Sequence, residues 1–134
     1  MDVTGAMLLN ATFDILGGVA RADILGNQAM TGGVVAGSNK NLGVTAAGDE
    51  FIAVVKILAV SGSGNFVIAV QESSDDGAGD AYSTILTSST HTAIGSEVLS
   101  TTSATEAWKR LNVTVFTGFA SVTALVAVGK IQGT

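Results

Sequence analysis

The sequence predicts an all-β fold: a single β-sandwich, jelly-roll-like in its strand inventory, with a Gly-rich N-terminal arm. Three observations carry that expectation. Apolar and polar residues alternate with a period of two in several stretches, and no stretch shows a helical stripe. Ser and Thr make up 27 of the 134 residues, and Thr favours strands while Ser favours turns. The 17 glycines, in a chain with no proline, fall largely between the alternating stretches, where the backbone must turn.

The elements follow from these patterns in chain order. Over residues 7–16, Met7, Leu9, Ala11, Phe13 and Ile15 lie on one side, with Asn10, Thr12 and Asp14 opposite, the pattern of a half-buried strand. Gly17-Gly18 ends it, and a second short strand is expected over 19–25. Residues 26–48 read as loops around weak strands near Val34-Val35 and Val44. The run from Phe51 to Val60 is apolar on both faces, as a central strand would be. Ser61-Gly62-Ser63-Gly64-Asn65 signals a turn, so 51–72 is expected to form a hairpin with the strand from Phe66 to Glu72. A polar loop over Ser73–Asp80 leads to a short strand at Ala81–Leu86. A Ser/Thr-rich excursion over 87–105 holds one strand near Glu97–Ser100. A second hairpin closes the chain: Ala107–Thr117, a turn at Gly118, then Phe119–Ile131. About eight strands result. The expected division is an N-terminal arm or extension over 1–50, which could also join the sandwich, and a sandwich core over 51–134.

Composition narrows the chemistry. Cysteine is absent, which removes disulfides, thiolate nucleophiles and Cys-ligated metals. A net charge of −5, with only six Lys and Arg, argues against nucleic acid as a partner. No apolar run approaches the roughly 20 residues of a spanning helix, so no membrane partner is expected. The start Met1-Asp2-Val3 lacks the basic opening of a signal peptide, and synthesis in a cytoplasm is expected. His91 is the only histidine, and its Ser/Thr-rich surroundings read as an exposed loop. Asp75, Asp76 and Asp80 are the only carboxylate cluster; their spacing does not match an EF-hand, and turn chemistry explains them better than a metal site. Neither Gly17-Gly18 nor Gly32-Gly33 has the flanking residues of a phosphate-binding loop. No cofactor, no metal and no catalytic residue are expected, and the chain reads as a non-enzyme.

Charged side chains are 13% of the sequence, about half the usual share. A soluble β-protein so short of charge is expected to cover part of its surface, with copies of itself or with a larger assembly. Met7, Leu9, Phe13, Ile15 and Trp108 are the interface candidates, the first four because they form one apolar strip, the last as a lone aromatic anchor.

Two stretches carry a resemblance. Phe66-Val67-Ile68-Ala69-Val70-Gln71-Glu72-Ser73-Ser74-Asp75-Asp76-Gly77, leading to Tyr82, is similar to the strand, Gln-x-Ser-x-Asp-Gly, aromatic pattern of small tailed-bacteriophage structural proteins. Trp108-Lys109-Arg110-Leu111-Asn112-Val113-Thr114-Val115 resembles a later strand of the same group and is likewise followed by a Gly turn and a last Val/Ala strand. The match spans about residues 50–131. It implies a β-sandwich, often of jelly-roll type, that decorates the outside of a phage head as a cement protein, frequently as a trimer.

The function expected is therefore structural: a virion protein on the capsid surface, bound to the major capsid protein as a homotrimer and stabilising the head. The rival is a carbohydrate- or receptor-binding module of a phage fibre or tail, using Tyr82, Trp108 and the loop carboxylates. A small hydrolase built on Ser, His91 and an Asp is a distant third.

Overall fold

The structure, a computed structural model, describes residues 22–131. Seven strands occupy this range: β1 (Asp23–Met30), β2 (Gly33–Val34), β3 (Lys40–Asn41), β4 (Glu50–Ser73), β5 (Ser83–Thr87), β6 (Gly95–Thr101) and β7 (Trp108–Ile131). The fold is all-β, and among the described residues there is no helix. All seven strands belong to one antiparallel sheet and are not divided between two separate ones.

Two 24-residue strands, β4 and β7, are its spine and pair along their whole length, from Glu50↔Ile131 to Ser73↔Trp108. Each flank is traced by a run of shorter pieces. Beside β7 run β1, then β2, then β3, and finally the bridge Thr45↔Thr105. Beside β4 run β5, the bridge Phe66↔His91, and β6.

The spine bends in the middle. Register shifts crowd between Ile57 and Asn65 of β4, opposite Thr117–Thr123 of β7. Bulges insert unpaired residues and change which face a side chain takes. On β4 the core side chains are Phe51, Ala53, Val55 and Ile57 before the bend, and Phe66, Ile68 and Val70 after it. On β7 they are Leu111 and Val113, then Val122, Ala124, Val126 and Val128. The parity switch on both strands keeps one face inward, so the halves on either side of the bend share a single core. Gly26 of β1 shows how closely they meet: a Cβ there would lie 3.0 Å from Leu111 Cδ1 of the other half.

Both expected hairpins are corrected by this arrangement. The 51–72 segment does not reverse at Ser61–Asn65, and the 107–131 segment does not reverse at Gly118; each is one continuous bent strand. Glycine permits either outcome, and the long partner strand decides it by pairing with both halves. At the crossing, Gly62 and Gly118 have positive φ of 88° and 79°. A Cβ on Gly64 would fall 1.8 Å from the Thr117 carbonyl oxygen.

Other elements follow the sequence more closely. β6 covers the expected Glu97–Ser100, and β5 is the expected strand displaced past Tyr82. Of the strand expected over 19–25, residues 19–21 lie outside the described residues; the rest enters β1, which continues through Gly26-Asn27-Gln28, where pairing with Val122–Val128 overrides poor strand propensity. Near Val44 there is only the isolated Thr45 bridge. Leu25, Met30 and Val35 enter the core, so residues 23–41 are woven into the sheet as three strands. The strand expected over 7–16 lies outside the described residues.

Candidate functional site

Most of the chemistry-bearing residues singled out by the sequence gather at one end of the sheet, where the β4–β5 loop meets the start of β7. Ser73, fully buried, organises the loop: its Oγ accepts from the amides of Asp75 (3.2 Å) and Gly77 (2.8 Å) and donates to the Asp80 carbonyl (2.7 Å). The Asp75 carboxylate accepts from the Gly79 amide at 2.7 Å and the Asp80 amide at 3.0 Å. Asp80 Oδ2 accepts from the Ser74 amide at 2.8 Å. Asp76 sits at a φ of 60° and accepts from the Tyr82 hydroxyl at 2.6 Å and from Asn39 Nδ2 at 2.8 Å.

All three carboxyls are held below the ordinary aspartate range, because donors favour the charged form. The leading donors are the Asp80 amide for Asp75, the Tyr82 hydroxyl for Asp76 and the Ser74 amide for Asp80. These oxygens face their own loop and its neighbours, and the arrangement closes a turn. Among the described residues, no group of three or more His, Asp or Glu side chains is placed to hold a metal ion.

Tyr82 is clamped. The Arg110 guanidinium lies 4.0 Å from its ring centroid, and Gly77 is so close that a Cβ there would be 3.3 Å from Cδ2. Arg110 in turn donates from Nε to Gln71 Oε1 at 2.9 Å, across the β4–β7 pairing. Burial first, and then the hydrogen bond and negative charge of Asp76, push the Tyr82 phenol up to about 12. Trp108 begins β7 two residues before Arg110, half-buried, in register with Asn41 on one side and Ser73 on the other. The structure thus brings Tyr82, Trp108 and the carboxylates into one region, with the tyrosine ring already stacked by Arg110.

His91 corrects an expectation. It is not an exposed loop residue: its backbone exchanges hydrogen bonds with Phe66 at 2.8 and 2.9 Å, and its side chain is only 10% exposed. Nε2 lies 3.1 Å from Glu97 Oε2, out of line for a good hydrogen bond. Ser89 donates to the same carboxylate from its amide and from its hydroxyl, the latter at 3.0 Å. A hydrolytic triad needs the histidine between serine and acid. Here the acid stands between serine and histidine, so the order is not that of a triad.

One residue was overlooked in the sequence. Lys109 is fully buried; its Nζ lies 5.2 Å from the Phe51 ring centroid and donates to the Glu106 carbonyl. Burial pulls its ammonium down to about 8, against the opposing pull of Glu72 and Glu106. The available signal was parity, since Lys109 shares the inward side of β7 with Leu111 and Val113. Nearby, Glu106 is pushed up, chiefly by burial and then by its hydrogen bond with Asp80.

Of the interface candidates, Trp108 is placed as above, while Met7, Leu9, Phe13 and Ile15 lie outside the described residues. No family model, no curated protein and no solved structure matches this chain.

Proposed function

We propose that this protein is a structural, non-catalytic component of a tailed-phage virion that binds the outer surface of the head and stabilises it, as a homotrimer seated on the major capsid protein. The observation that best supports the reading is the direction of the polar groups. The loop carboxylates, Tyr82, Arg110, Ser89 and Glu97 are directed at the protein's own backbone and side chains. Meanwhile Val34, Val44, Ile94 and Val98 stand half-exposed or more on a charge-poor surface. Such a surface binds by covering apolar area and not by chemistry. The motif resemblance supplies the particle, the trimer and the capsid partner. Sugar binding finds less support, because stacking on a saccharide needs a free aromatic face and Arg110 already occupies one face of Tyr82.

Light scattering on the purified protein and co-sedimentation with empty heads test the reading together. A trimer-sized particle and saturable binding to heads are expected. A monomer that ignores heads and binds a glycan array would transfer the assignment to the fibre module.

A further inference from the structure

The two flanks of the sheet end differently. Beside β7 the outer pieces are short or guarded: β2 and β3 have two residues each, and β1 carries a register shift between Ile24 and Gly26, with the Ile24 carbonyl accepting from Lys40 Nζ. Beside β4, the five residues of β5 face a register shift at Val70/Gln71. β6 is the exception. It runs seven residues in unbroken register with Phe51–Ile57, and no described strand pairs with its other side. Edge strands are normally blunted by Lys, Pro or a bulge, because their free N–H and C=O groups template another strand. Gly95-Ser96-Glu97-Val98-Leu99-Ser100-Thr101 has none of these. Its one charge, Glu97, shares the core side of the strand with Leu99 and is engaged by Ser89 and His91.

We propose that β6 pairs antiparallel with β6 of a second copy, about a two-fold axis through Val98. Self-complementarity selects that occupant. The exposed side chains of β6 are Ser96, Val98 and Ser100, a triplet that reads the same in both directions. Across the axis Val98 meets Val98 of the other copy, and each Ser96 meets a Ser100, so neither charge nor bulk opposes the approach. Lys56, in register with Ser96, is one strand removed from the contact.

The outward face of the sheet points the same way. Val54 stands in register with Val98 on one side and Ala127 on the other, and Ala127 with Ile24. This apolar row is buried at Val54 and Ala127 but stops at the β6 edge with Val98 49% exposed. A second copy continues the row and covers its open end, with a β-branched pair on the axis. The edge is about 24 Å long and covers less than the roughly 1,200 Å² of a stable complex. The contact is therefore weak in dilute solution and tightens where copies are held side by side. It goes beyond the capsid reading and does not depend on it, being two-fold where the trimer proposed above is three-fold.

The chain has no cysteine, which makes disulfide trapping clean. Val98→Cys, Ser96→Cys and Ser100→Cys are made singly in the full-length protein, at exposed positions where the fold tolerates them. Under mild oxidation Val98→Cys is expected to give a linked dimer, because its two copies face each other at a Cα spacing of about 5 Å. Ser100→Cys alone is expected to link more than about tenfold more slowly, since its copies stand about 14 Å apart along the strands. An equimolar mixture of Ser96→Cys and Ser100→Cys is expected to link across the axis. Adding Val98→Lys to both is expected to abolish that link by setting two ammonium groups against each other, with circular dichroism showing that the fold is kept. Val98→Cys that stays unlinked would mean that the edge is closed by something else, the chain's own residues included, and overturns the proposal. Ser100→Cys that links as fast as Val98→Cys, or a mixture still linked in the Val98→Lys background, would mean random collision and also overturns it. Head binding is read separately by co-sedimentation, so either idea can fail while the other stands.

Discussion

Between pH 8 and 12 two side chains titrate away from their ordinary values, and each offers a local test. Lys109 loses its proton near 8 when folded and near 10.5 when unfolded. In that window the unfolded chain binds more protons, so stability must rise with pH, by up to about 3 kcal/mol for a gap of this size. Lys109→Met, which keeps the buried stem, is expected to abolish that rise in urea midpoints measured from pH 7.5 to 10. A wild-type profile that is flat or falling there would place the ammonium in a better-solvated setting. Tyr82 shows the opposite sign. Its phenol ionises near 12 when folded and near 10 when unfolded, so its contribution is present below pH 10 and disappears as pH rises from 10 to 12. As the only tyrosine, it can be titrated directly by absorbance. Asp76→Asn is expected to bring the midpoint part of the way back toward 10, because burial, the largest cause, remains. An unperturbed wild-type midpoint would break the Asp76–Tyr82–Arg110 arrangement. The two windows overlap only narrowly, which lets the effects be separated.

At the scale of elements, the bend in β4 and β7 depends on Gly64 and Gly118, neither of which has room for a side chain. Gly64→Ala would place a Cβ 1.8 Å from the Thr117 oxygen and 2.6 Å from the Phe119 nitrogen, both backbone atoms with no room to yield. A loss of roughly 3 kcal/mol or more is expected. Gly118→Ala should behave similarly, with a Cβ 2.4 Å from the Ser63 oxygen. Gly48 also has a positive φ, but nothing lies within 4 Å of its Cβ position, so Gly48→Ala should cost only the backbone strain of about 1–2 kcal/mol. Chemical denaturation of the three variants gives the ranking, and a Gly64→Ala protein as stable as Gly48→Ala would refute the interlocked bend.

These same glycines mark the limit of what the sequence reveals. Alternation located β7 and the second half of β4, and a run apolar on both faces located the first half of β4, because the pattern follows from which faces are buried. It could not distinguish a reversal from a bend at Ser61–Asn65, since Gly and Ser serve hairpin turns and bulges alike. The answer lies in a partner some 50 residues away. The Asp75–Asp80 loop was legible as turn chemistry because its hydrogen bonds are local. The clamp on Tyr82 was not, since it depends on the Gln71↔Arg110 register and on Asn39 from another part of the chain. His91 was misjudged for the same reason: its pairing with Phe66 is not written in the residues around it.

For the molecule as a whole, one continuous sheet folded about its middle leaves two kinds of surface. One is polar and internally satisfied, around the β4–β5 loop; the other is apolar and low in charge, where Val34, Val44, Ile94 and Val98 stand exposed. A net charge of −5 spread over so few charged groups gives little electrostatic steering, so association must rest on apolar contact and shape. Binding of that kind should depend weakly on salt, and heads should retain the protein when ionic strength is raised from 0.05 to about 1 M. The central claim, that the protein belongs to the outside of a phage head, is tested most directly by a cryo-EM map of the particle whose genome encodes it. The account predicts β-rich density of this size on the outer capsid surface, three copies at a time. A bare head, with the same density on the tail or absent from the particle, would contradict it.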